Sequence, residues 1–537
     1  MSHMRWWATS LALALPQVAV AAEAPEAPDG PVASVAEVAA PAAPADDFDL
    51  GDGWSVDLGL FVEYRVAMSQ VSGVQLGRPL GEDQGQLEPT VGFENRLRLA
   101  GHAAFKHRTG FLRQVRLDLA ADLFSGPFSS SLEDELLRYD PLQPTADLAS
   151  RDSQYLRVAS AEVTTMAGRV AGGRMASTWG LGILAQGAAD DPLQFGFKRT
   201  GHLVNRVAYT MMPSVWALGD KGAVDAPFII GAAYDWLVLD DRADEREDDS
   251  GNNIIALLGW FGRDLQVGAY GVRRTQQNAL GLETSAWVGD LYAHGVLDVD
   301  GWKLQAATEW AVISGETEAF RSYANPETTD VLQVGGVVRF DVEKDWFVAR
   351  LEGGYASGDS RPYDDTIHTM SFASDYRVGI ALFPELIRRH TAVAAYNAQD
   401  PRFTGLPPVG FDDTPTRGGV TGAMYLHPVL GLRPFPYLTL LTGAVIARAS
   451  EDYADVYRTA LAGGTPTGPR GATHQRDLGL ELDVGVRFHH AIGAGVSVAA
   501  RFDAGVLFPG AVFDDADGNA ASALAVTAGQ VMLQGEW

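Results

Sequence analysis

In residues 54–68, WSVDLGLFVEYRVAM, every even position (Trp54, Val56, Leu58, Leu60, Val62, Tyr64, Val66 and Met68) is apolar or aromatic, while Ser55, Asp57, Glu63 and Arg65 take odd ones. Successive side chains on a strand point to opposite faces, so this period of two sets a greasy ribbon against a charged one. One such strand suits a soluble sheet equally well. The pattern, however, recurs about twenty times along the chain, and that recurrence limits the fold. The clearest late example is 477–489, where Leu478, Leu480, Leu482, Val484, Val486 and Phe488 alternate with Asp477, Glu481, Asp483, Arg487 and His489.

Before the first strand, Arg5 leads an apolar run over 6–15, followed by Pro16 and small residues at Ala19, Ala21 and Ala22. These features make residues 1–21 a secretory signal peptide. The run is too short for the ~20 residues of a spanning helix. Residues 22–50 are Ala/Pro-rich over most of their length and are expected to form a disordered periplasmic tether. No later stretch is long enough for a transmembrane helix. An exported chain that still enters a membrane must then do so as a closed barrel, because each strand's backbone groups need neighbours to pair with.

Connections support that architecture. Tight ones near 164–165, 261–264, 298–301, 342–345, 433–436 and 491–494 alternate with long polar ones near 69–88, 125–153, 175–200, 239–252, 275–283, 314–327, 357–373, 398–417, 449–476 and 509–521. Outer-membrane barrels sort their loops in this way, short turns to the periplasm and long loops outside. The expected fold is an all-β, antiparallel up-and-down transmembrane barrel over 51–537, in the outer membrane of a Gram-negative bacterium. Beyond 54–68, 91–105 and 111–123, strands are expected at 154–163, 167–174, 201–211, 227–238, 253–261, 264–273, 285–297, 302–313, 330–341, 346–356, 374–384, 389–397, 418–432, 437–448, 477–489, 495–508 and 523–537. That makes about 20 strands, with 389–397 included to keep parity; 18 is the alternative. A charge at Leu58 or Leu60 should impair insertion, whereas one at Gly59 should mainly change conductance. The last strand ends on Trp537, with Leu533 and Val531 on its face, a terminal aromatic of the kind barrel-assembly machinery recognises.

A net charge of −27 argues against nucleic acid as a partner. Of 41 basic residues only five are lysine, leaving 36 arginines. There is no cysteine, hence no disulfide, thiolate metal site or cysteine nucleophile. Since charge on the lipid face costs ~2–4 kcal/mol at midplane, the polar face should line the lumen. It then carries Arg65, Arg96, Arg98, Arg116, Arg339, Arg350, Arg487 and Arg501 with Asp57, Glu63, Glu94, Asp118, Asp122, Asp290, Glu309, Glu352, Glu481 and Asp483. So wide a barrel holds water unless loops fold in. Its charges can pair along the wall, or the arginines can outnumber their partners on one side and form a track for anions.

The loop DDRADEREDD at 240–249 and the run GDSRPYDD at 358–365 offer carboxylates to a hard cation such as calcium, with Asp359, Asp364 and Asp365 as candidates, although neither has EF-hand spacing. Catalysis is not expected: G-x-S-x-G, H-E-x-x-H and P-loop motifs are missing, and His102, His294, His489 and His490 have no matching serine strand. No cofactor is implied.

The runs AGRVAGGRMASTWGLGIL (167–184), LEGGYASGD (351–359), SDYRVGIALF (374–383) and LGLELDVGVRF (478–488) resemble a group of uncharacterised Gram-negative outer-membrane barrels. More distantly they are similar to the alginate-export porins. The second resemblance implies an 18-stranded barrel, gating loops and an arginine-lined conduit for a polyanion, with Arg169, Arg174, Arg377 and Arg487 as conduit residues here. The lumenal acids Glu481 and Asp483 depart from that pattern. Three functions are therefore open: a porin-like channel for passive passage of hydrophilic solutes, charged ones included; an exporter of an acidic polysaccharide or similar polymer; and a non-conducting adhesive or structural barrel with partner-binding loops. Expected partners are membrane lipid, a hydrophilic solute or anionic polymer, and the assembly machinery through Trp537.

Overall fold

The computed structural model describes residues 48–51, 53–75, 86–87, 90–107, 110–130, 155–187, 191–197, 201–218, 222, 226–321, 326–399 and 416–537. The expected signal peptide and nearly all of the tether lie outside them. Alternation becomes pairing: each long strand bonds antiparallel to its neighbours in the barrel. In order these are β1 Trp54–Val71, β2 Thr90–His107, β3 Leu112–Ser130, β4 Tyr155–Thr165, β5 Gly168–Ala176, β6 Leu203–Met211, β7 Phe228–Leu239, β8 Ser250–Phe261, β9 Leu265–Gln277, β10 Glu283–Val299, β11 Trp302–Thr317, β12 Thr329–Lys344, β13 Phe347–Ala356, β14 Ala423–Phe435, β15 Leu438–Ala449, β16 Asp477–Gly493, β17 Val496–Pro509 and β18 Leu524–Glu536. Closure comes from β18 against β1, with Phe61 opposite Glu536 and Val71 opposite Val526. The barrel thus has 18 strands, the alternative number rather than 20.

Because β1 has 18 residues and β18 has 13, the lower end of β1 would be left as an open edge. A short strand, Phe48–Gly51, covers it by pairing with Trp54 to Val56, so the end of the expected tether belongs to the sheet.

Outer faces carry the apolar ribbon. Leu58, Leu60 and Tyr64 on β1, Leu480, Leu482 and Val484 on β16, and Val531 and Leu533 on β18 are all exposed, as lipid contact requires. Aromatic residues at the short-turn end, among them Trp260, Trp346, Phe435 and Tyr437, form the interfacial girdle of such barrels. Loop sorting holds with one exception: residues 212–227, between β6 and β7 on the short-turn side, include the helix Pro213–Leu218.

The two strands lost from the expected count are 374–384 and 389–397. Both fall in the 357–422 connection, which turns into the barrel. Tyr376, Val378, Ile380, Ala381, Leu382 and Phe383 are all buried, whereas a membrane strand would expose every second one. The continuous apolar run VGIALF is the sign of this in the sequence, but a run of that length suits a buried strand equally well. The chain instead makes a π-helical turn, Leu382–Ile387, and the helix α1, Arg388–Gln399. Together with residues 177–197 it forms an apolar core against the wall. Trp179, Ile183, Phe195, Met370, Phe372, Phe383 and Ile387 pack with Val337, Val348, Val429, Val445 and Leu507. The lumen beside β8 to β18 is therefore filled by protein.

Candidate functional site

Arginine and acid are concentrated on the wall from β16 round to β5. Arg487 stands directly across from Arg501, Arg501 from Gln530, and Gln530 from Ala67. Two residues along β1, Arg65 lies opposite Arg96, and Glu63 opposite Arg98. Arg98 grips Asp122 with two bonds of 2.6 and 2.9 Å, and Arg157 approaches the same carboxylate at 3.8 Å. Glu63 accepts from Arg96 at 3.0 Å, while Asp503 lies 2.6 Å from Arg487 and 3.4 Å from Arg501. This belt holds six guanidinium groups (Arg65, Arg96, Arg98, Arg157, Arg487, Arg501) and four carboxylates (Glu63, Glu94, Asp122, Asp503) among the described residues, with Glu94 opposite Ala67. Like charges directly opposite on paired strands are destabilising, so Arg65/Arg96 and Arg487/Arg501 mark positions where stability is given up.

Loop residues reach the belt. The Gln194 carbonyl accepts from Arg487 at 2.8 Å and from Arg501, and the Arg65 guanidinium lies 5.7 Å from the Phe197 ring centre. Below the belt the charges balance in pairs: Arg116 with Asp118 at 2.8 Å, Lys106 with Asp57 at 3.1 Å, and Arg169 with Glu162.

Other expected lining residues have different roles. Arg339 bonds Glu352 at 2.7 Å and the Tyr376 hydroxyl at 3.1 Å. Arg350 bonds Asp341 at 2.7 Å and the loop residue Asp191 at 2.5 Å. Burial alone would raise the Asp191 carboxyl, but Arg350 and Arg339 outweigh it and hold it well below the usual range. Arg174 is tied to Asn205 at 3.1 Å and Glu245 at 3.4 Å. Arg377 is not on a wall strand at all; it belongs to the inserted segment, with its side chain beside Gly196.

Glu481 and Asp483 are not open lumenal charge either, both being fully buried. Glu481 accepts three successive backbone N–H groups of the inserted segment, from Ile380 at 2.5 Å, Ala381 at 2.8 Å and Leu382 at 2.7 Å. Glu309 does the same for Leu181 and Gly182, and Asp290 accepts from the Trp179 indole at 2.8 Å. Such close approach needs Gly379 and Gly180, each at positive φ, where a Cβ would fall on the Glu481 and Glu309 carboxylates. Sequence pattern found these acids inside but not their partners, which lie about a hundred residues away. Of the belt itself, Arg157 escaped notice because a bulge at Ala120/Ala121 shifts its register against β3.

At the extracellular end, above the inserted segment, lies a cavity of about 440 Å³ lined by loop residues and by the upper ends of β10, β11 and β12. The calcium candidates do not converge there. Asp359 accepts from the Arg361 and His368 amides at 2.8 and 3.2 Å, Asp364 from the Thr366 amide at 3.2 Å, and Asp365 from the Thr366 hydroxyl at 3.3 Å. Among the described residues no three His, Cys, Asp or Glu are grouped to hold a metal ion.

No family model and no curated protein matches the sequence. Solved structures with a similar arrangement include Pseudomonas aeruginosa OccK2 (OpdF), 9% identical with 89% of this chain and 97% of that chain covered and a TM-score of 0.49. P. aeruginosa OpdK, solved with vanillate, is 12% identical over 89% and 99%, with a TM-score of 0.49. The outer membrane channel DcaP of Acinetobacter baumannii is 12% identical over 91% and 99%, with a TM-score of 0.40. The fold of this chain rests on its own strand pairing, and the resemblance to alginate-export porins gains no support from these comparisons.

Proposed function

We propose that this chain is a channel in the outer membrane of a Gram-negative bacterium that passes hydrophilic solutes passively and favours anions. The observation that carries this is the belt, six guanidinium groups with four carboxylates along the wall of β16, β17 and β1 to β4. Fixed positive charge in a narrow, low-dielectric passage concentrates anions and repels cations. Segments 177–187, 191–197 and 357–399, folded into the barrel, narrow that passage and favour small solutes over a threaded acidic polymer. On this account the lipid-exposed last strand, ending on Trp537, is the feature the barrel-assembly machinery reads, and residues 1–21 direct export.

Reconstitution of the full mature chain in planar bilayers tests the reading. Stepwise conductance in KCl is expected, with a reversal potential of anion-selective sign under a salt gradient. Absence of any conductance would leave the adhesive or structural barrel as the surviving account.

A further inference from the structure

The outer cavity departs from what a water-filled barrel asks of its inward face. On β10, β11 and β12 it is lined by Val288, Ile313 and Val331, with Val288 directly across from Ile313. All three are half-buried, and Leu282 and Phe320 extend the apolar strip upward from the adjoining loops. Apolar surface left facing a cavity of about 440 Å³ gains nothing from water, and the volume falls within the range of small-molecule sites.

Among the charged groups of the lining acids predominate, with seven carboxylates against three arginines and His202. Asp240 is neutralised by Arg274 at 2.6 Å and Asp241 by His202 at 3.0 Å, while Glu451 and Asp452 share Arg476. Asp249, Asp359 and Asp455 are held differently. Their hydrogen bonds come from backbone amides: Asp244 and Ala279 for the first, Arg361 and His368 for the second, Arg458 for the third, whose guanidinium also acts on Asp455. A neutral N–H orients a carboxylate without cancelling its charge, and with Arg242, Arg274, Arg417 and His202 all counted the seven carboxylates of the lining still outnumber its cations, so the cavity is negative.

We propose that the cavity is a binding site for organic cations with an apolar body, an ammonium group carrying an aromatic or branched alkyl part. The strip of Val288, Ile313 and Val331 takes the body, and the amide-held carboxylates take the charge. The proposal deepens the channel reading, placing a capture site for such solutes outside the basic belt. Belt and vestibule are then opposite in sign, so an organic cation held in the cavity blocks current more readily than it crosses.

The test uses the full mature chain in planar bilayers, with three probes added on the long-loop side. Benzyltrimethylammonium carries body and charge, tetramethylammonium the charge alone, and benzoate the body with the opposite charge. Block of the KCl current by benzyltrimethylammonium is expected at concentrations about tenfold below those of the other two. The pair Val288→Thr and Ile313→Thr, which puts hydroxyls into the apolar strip, should remove most of that advantage, and Asp249→Asn should weaken both cations alike. Equal block by all three probes, or no loss in the threonine pair, would overturn the site while normal KCl conductance kept the channel reading. If no KCl current is found, calorimetric titration of the same probes into purified protein in non-ionic detergent decides the site independently. Heat evolved for benzyltrimethylammonium alone supports it, and none for any probe rejects it.

Discussion

Single carboxylates do unequal work in this molecule, and their partners decide which. Glu481 satisfies three N–H groups that would otherwise be buried without acceptors, so Glu481→Gln, which turns a donor toward one of them, should cost about 1–3 kcal/mol of local stability. Hydrogen exchange at Ile380 to Leu382 checks this, with faster exchange expected there and none added at β3. Asp455 behaves otherwise. Burial pushes its carboxyl up to about 6 against the opposing pull of the Arg458 amide and charge and the Tyr457 amide. Its contribution to stability is therefore complete below an unfolded value of ~3.9 and lost as pH rises through about 6. The same titration charges the outer cavity, which Asp359, raised by burial, also lines. Block by benzyltrimethylammonium should thus strengthen between pH 5 and 8, and Asp455→Asn should flatten that rise. Pattern reading could place Glu481 inside but could not see these differences, since each depends on backbone brought in from a distant loop.

Among the elements, the strands were legible and the inserted segment was not. Period two needs one wet or apolar face against another, which β1 and β16 display; residues 374–395 are buried save Arg377 and Thr391, so their composition carries no alternating face. Leu60 remains on the lipid side, 51% exposed, and Leu60→Arg should reduce folded barrel in outer-membrane fractions, at ~2–4 kcal/mol if it lies near midplane. Gly59 now carries a different expectation. A Cβ there would meet the His102 ring, so Gly59→Asp should disturb β1 and β2 packing as well as conductance. The inserted elements are fastened where three loops meet: Gly201 donates to Asp375 at 2.8 Å, Ser374 to Asp241 at 2.9 Å, and His202 bonds Asp241 at 3.0 Å. Burial would lower the His202 ring, but Asp241 first, then Asp240 and Asp375, raise it above its ordinary value. Its stabilisation is full below ~6.5 and fades as pH climbs through the raised value. Current noise from loop motion should accordingly increase on going from pH 6.5 to 9, and His202→Gln should abolish the dependence while raising the noise throughout.

For the whole molecule the question is which of two opposed fields governs passage, the −27 of the chain or the local belt. Charge at a distance is screened within about 8 Å at physiological salt, whereas the belt groups, nearly all buried in the wall, are screened much less. The belt's excess charge can be removed while Glu63, Asp122 and Asp503 each keep one arginine. Arg65→Gln, Arg157→Gln and Arg487→Gln together leave Glu63 with Arg96, Asp122 with Arg98 and Asp503 with Arg501. Three guanidinium groups then face four carboxylates, and because Glu63, Asp122 and Asp503 each keep an arginine the barrel should still fold. The reversal potential of this triple variant under a KCl gradient should move from anion-selective toward zero or beyond, with unitary conductance altered by no more than about twofold. Removing Asp240 and Asp249 instead, at the outer loops, should leave its sign unchanged. If the triple variant kept the original reversal potential while the loop variant shifted it, selectivity would belong to the acidic vestibule, and the belt would be a structural device for closing the wall.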